Sequence, residues 1–108
     1  MEEKLNNLVT FALELGKGTD NLVDYYALLQ QYCCKNVYEP ITDDFNDVIG
    51  NKGGVTLFYT KLQIFLLEQE LIKTPNEKGE KELAQLRQRY EERFAEYVGQ
   101  KGTQLGSK

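Results

Sequence analysis

Apolar residues along the chain recur at the three-to-four-residue spacing of amphipathic helices. Leu5, Leu8, Val9, Ala12 and Leu15 share one helix face, and Gly16 follows as a stop signal. A second helix is expected to open at the capping residues Thr19 and Asp20. Its apolar stripe is Leu22, Tyr25/Tyr26, Leu29 and Tyr32/Cys33, and it ends near Val37, ahead of Glu39-Pro40. A short third helix follows, with Thr42 as N-cap, Asp43 and Asp44 in the first turn, and Phe45, Val48 and Ile49 turned inward. Gly50 ends it, and Asn51-Lys52-Gly53-Gly54 forms a turn.

The fourth helix, Val55 to Lys73, is apolar on two faces. Val55, Phe58, Tyr59, Leu62, Phe65 and Leu66 lie on one, and Leu57, Ile64, Leu67 and Leu71 on the other. A helix of this kind either lies at the centre of its own domain or shares a face with another chain. Thr74-Pro75-Asn76-Glu77 has the form of a capping box with proline at the first helical position, although Gly79 sits awkwardly inside that first turn and moves the expected start a few residues later. The fifth helix carries Leu83, Leu86, Tyr90, Phe94, Tyr97 and Val98 on one side and is expected to end at Gly99. No segment alternates with the period of a strand. The expected fold is all-α: a compact bundle of about five helices, four substantial and one short. It forms a single domain over residues 1–98, followed by a flexible tail over 99–108.

Composition narrows the chemistry. The 108 residues are 41% apolar and 28% charged, a balance suited to one ordinary globular domain. Histidine is absent, which removes the commonest general base and transition-metal ligand. Cys33 and Cys34 are adjacent within a helical pattern, where they cannot readily bridge each other. Cys33 falls on the core stripe and Cys34 on its flank, so neither is expected to be a nucleophile or half of a zinc site. The acidic start MEEKL lacks the features of a secretory signal, and polar residues interrupt Leu57 to Ile72. A reduced, cytoplasmic setting is the expectation. Tyr26, Tyr90 and Tyr97 fall on core stripes rather than on a base-stacking surface.

Charge is unevenly distributed. Residues 1–54 hold four lysines and nine acids, a net −5, and residues 55–108 hold nine basic and eight acidic residues, a net +1. All three arginines, Arg87, Arg89 and Arg93, fall on the last helix. The densest acidic group is Glu39, Asp43, Asp44 and Asp47, with Asp43 and Asp47 one helical turn apart. It departs from a calcium loop, because Val48 and Ile49 stand where oxygen ligands belong. Gly50, Gly53 and Gly54 do not follow the order of a phosphate loop, and no strand precedes them. No catalytic residue, cofactor or metal is expected.

These features suggest a non-enzymatic, acidic protein-binding module of inhibitor, immunity or adaptor type. It would dock on a protein with a basic surface through Glu39, Asp43, Asp44 and Asp47. The alternative is a helix-turn-helix or winged-helix-like DNA-binding regulator using residues 41–72. That outline meets apolar Leu57 and Phe58 where base-contacting residues belong, and only Lys61 as a cation in the first two turns. Neither nucleic acid nor membrane is the expected partner. Leu57, Ile64 and Leu71 repeat every seven residues and offer a face for self-association as a homodimer. Packing of the last two helices against each other accounts for the same pattern.

Overall fold

The computed structural model describes residues 2–19 and 21–106, with side chains described up to Gly99. Five helices account for its regular structure: α1 Glu2–Leu15, α2 Leu22–Lys35, α3 Pro40–Ile49, α4 Gly54–Lys73 and α5 Glu77–Gly106. The chain is all-α, with no strand among the described residues. It divides into two compact units, residues 1–59 and 60–108, with the boundary inside α4.

In the first unit, α1 packs on both α2 and α3. Leu5, Leu8, Val9 and Ala12 are buried, as their spacing requires. From α2 the core receives Tyr25, Leu29 and Cys33, one helical turn apart from each other, and from α3 it receives Thr42 and Val48. Leu57 and Phe58, from the start of α4, are fully enclosed. The Tyr26 ring lies 6.1 Å from Phe45, 5.8 Å from Phe58 and 5.7 Å from Tyr59 between centroids. Aromatic rings at such separations attract beyond their simple burial.

Three helix starts differ from the sequence expectation, each for a local reason. The cap of α2 is Asn21, whose side chain accepts the Val23 N–H at 3.0 Å. Thr19 instead donates its hydroxyl to Asp24 at 2.8 Å, and Asp20 lies outside the described residues. Helix α3 starts at Pro40, not after Thr42, because proline is preorganised for the first helical position. Thr42 is then one turn inside and buried, and its hydroxyl donates to the Asn36 carbonyl at 2.6 Å. The start of α5 is capped by Asn76, whose Oδ1 accepts the Gly79 N–H at 2.6 Å, so the Thr74 capping box does not form.

The second unit is an antiparallel helix hairpin. Arg93 donates to the Thr60 hydroxyl at 2.8 Å near one end, and Arg87 pairs with Glu68 at 2.6 Å further along. Between them the Lys61 ammonium sits 4.5 Å from the Tyr90 ring centroid. Near the connection the helices touch so closely that a Cβ on Gly79 would lie 2.6 Å from a Leu71 methyl. That contact explains why a glycine stands in the first turn of α5. Leu83, Tyr90 and Tyr97, seven residues apart on α5, are buried. Helix α5 passes through Gly99 to Gly106, because glycine weakens a helix by only about 1 kcal/mol without obstructing it. The side chains beyond Gly99, and with them the expected mobility of the tail, lie outside what is described.

Candidate functional site

The acidic residues singled out from the sequence do not converge on one point. Glu39 caps α3 through its backbone only, and its carboxylate turns toward α2 to accept the Tyr32 hydroxyl at 2.5 Å. This hydrogen bond, chiefly, holds the Tyr32 hydroxyl above its ordinary titration range. Asp44 and Asp47 face α1 instead. Asn7 donates to Asp44 at 3.4 Å, and Lys4 pairs with Asp47 at 2.5 Å. The Asp47 hydrogen bond is also the main reason that the Lys4 ammonium is held above its usual pKa. Asp43 is exposed on the same helix. The structure therefore brings Asp44 and Asp47 to the α1–α3 junction, leaves Asp43 facing solvent, and directs Glu39 elsewhere.

At that junction lies an open cleft of about 390 Å³, lined by Asn7, Thr10, Phe11 and Glu14 of α1 and Pro40, Ile41 and Asp44 of α3. Its apolar part is Phe11, Pro40 and Ile41, and Glu14 and Asp44 supply carboxylates. Phe11 is braced from the side by an edge-on contact with Tyr32 at 4.8 Å between centroids. Glu14 and Phe11 were not among the sequence candidates. The signal was present, because Asn7, Thr10, Phe11 and Glu14 form a second helical stripe beside the core stripe of α1.

The proposed self-association face is divided by burial. Leu57 and Ile64 are enclosed within the chain itself, and only Leu71 is half-exposed. The first turns of α4, which a DNA reader would present to a groove, likewise place Leu57 and Phe58 in the core. Gly54 meets the Val48 carbonyl so closely that the turn before α4 serves backbone packing. Among the described residues, no group of three or more His, Cys, Asp or Glu side chains is placed to hold a metal ion. No described helix is long and apolar enough to cross a membrane.

The two thiols differ sharply. Cys33 is buried, and desolvation is the main reason its thiol is raised above the ordinary value of 9.0, whereas Cys34 is exposed. The thiolate is the reactive form. Titration of the native protein with a thiol-reactive disulfide should therefore modify Cys34 rapidly and Cys33 only on unfolding. Equal rates for both would show that the α2 core opens readily.

No protein-family model matches the chain, and no curated protein or solved structure shows significant similarity to it.

Proposed function

We propose that the first unit is a protein-docking module that receives a basic, partly apolar segment of another protein in the α1–α3 cleft. The observation that carries this reading is the meeting of apolar lining residues with two carboxylates in one cleft of an acidic unit. Residues 1–59 hold four lysines, no arginine and nine acids. Such a field attracts cationic partners at long range and accelerates encounter. Phe11, Pro40 and Ile41 would supply apolar contact once the partner arrives, while Glu14 and Asp44 would hold a lysine or arginine head. Asp43 and Asp47 act mainly through the field, because Asp47 is already shared with Lys4 and Asp43 stands clear of the cleft. Glu39 contributes to the field from its place beside Tyr32.

The test uses an immobilised amphipathic lysine–leucine peptide as probe, with a glutamate–leucine peptide of the same length as control. The lysine peptide should bind selectively, with an association rate that falls as salt is added. Replacing Glu39, Asp43, Asp44 and Asp47 together by their amides should slow association about tenfold at low salt and flatten the salt dependence. The pair Glu14→Gln and Asp44→Asn should mainly hasten dissociation. Equal binding of both peptides, or an unchanged salt slope in the fourfold variant, would overturn the reading.

A further inference from the structure

Two helices cannot enclose an apolar face between them on every side, and the hairpin of the second unit shows the consequence. From Phe65 to Ile72, α4 carries Phe65, Leu66, Leu67, Leu71 and Ile72, yet none of these is fully buried, and Ile72 is 80% exposed. Beside them lies an open groove of about 750 Å³, with Phe65, Leu71, Ile72 and Leu83 among its apolar lining. Glu68, Glu80 and Arg87 supply its charges.

The order of those charges along α5 identifies what fits. Glu80, Leu83 and Arg87 stand at i, i+3 and i+7, so they share one stripe of the helix. Reversed end for end, the stripe reads arginine, leucine, glutamate, which is its own electrostatic complement. Two copies laid antiparallel about a two-fold axis near Leu83 therefore bring Glu80 of each opposite Arg87 of the other. Both cross-pairs form at once, as an isologous interface requires. Arg87 retains donors for this while paired to Glu68, because a guanidinium offers five N–H groups. The long-range field also permits the approach. Residues 60–108 hold nine basic and eight acidic residues, so two copies of this unit repel weakly, unlike two copies of the acidic first unit.

We infer that this chain forms a homodimer through the groove of the second unit, α4 and α5 of each copy combining into a four-helix arrangement with Phe65, Leu71 and Ile72 covered at the seam. The interface differs from the Leu57–Ile64–Leu71 face expected from the heptad spacing, and Leu71 is the residue common to both.

Sedimentation equilibrium of the full chain across a range of concentrations tests this, with circular dichroism verifying that each variant is folded. The native protein should show a monomer–dimer equilibrium. Ile72→Glu, at an exposed position, should weaken the dimer about tenfold or more. Glu80→Arg alone and Arg87→Glu alone should each weaken it. The double variant Glu80→Arg/Arg87→Glu restores opposite charges across the axis and should recover dimerisation. A native chain that stays monomeric at every concentration would overturn the inference. So would a folded double variant no better at pairing than the two single ones.

Discussion

Phe58→Ala should cost the first unit about 3–5 kcal/mol, the range for truncating a buried aromatic side chain. Phe58 has no exposed surface and is the largest side chain in the core so enclosed. Its ring meets Tyr26 and Tyr59, each at 5.8 Å between centroids, so the loss combines transfer energy, cavity and two edge-on aromatic contacts. Against a total stability of roughly 5–15 kcal/mol for a domain, such a loss is a large share. Urea denaturation followed by circular dichroism should show the midpoint fall accordingly. Val23→Ala, on the exposed side of α2, should stay within about 0.5 kcal/mol of the native protein. A similar midpoint for both variants would contradict the placement of Phe58 at the centre of the unit.

The second large effect runs against the usual rule for its residue type. Glycine to alanine in a helix ordinarily gains roughly 0.5–1 kcal/mol, because glycine loses the most backbone freedom on folding. At Gly54 the added methyl would fall on the Val48 carbonyl oxygen, a backbone atom that cannot swing aside. Gly54→Ala should therefore destabilise by about 1–3 kcal/mol, the range of an overpacked core. Gly99→Ala, whose new methyl would meet nothing within 4 Å, should be neutral or mildly stabilising. The same denaturation experiment distinguishes them, and opposite signs are the expected result. If Gly54→Ala stabilises the protein as Gly99→Ala does, the close approach of α4 to the end of α3 is not real.

The helices themselves were legible because their apolar spacing is regular. Leu5, Leu8, Val9 and Ala12 were readable as a core face, and so were Leu83, Tyr90 and Tyr97. Helix starts were less legible, because several capping residues stand together and only tertiary contact selects one. Thr42 is a good cap by type, but it is drawn inward to the Asn36 carbonyl, leaving the start of α3 to Pro40. The two-faced pattern of α4 was visible, but not which face is covered at which point along it. Leu57 and Ile64 are enclosed, whereas Phe65 and Ile72 remain at a groove. The acidic character of residues 1–54 was plain from the sequence, yet the cleft beside Asp44 depends on how α1 and α3 meet. Glu14 lies thirty residues before Asp44 in the chain, and only that packing brings the two to the same cleft.

The connections between helices are short, and each unit is assembled from neighbours along the chain. In the first unit α1 meets the two helices that follow it, and in the second α4 folds straight back onto α5. Little loop closure is needed before native contacts begin to form, and helical proteins with such local contacts fold on the microsecond-to-millisecond scale. A chain of this topology spends little time with its apolar stripes exposed after synthesis. Fast folding of this kind shortens the interval in which exposed apolar stripes can drive aggregation.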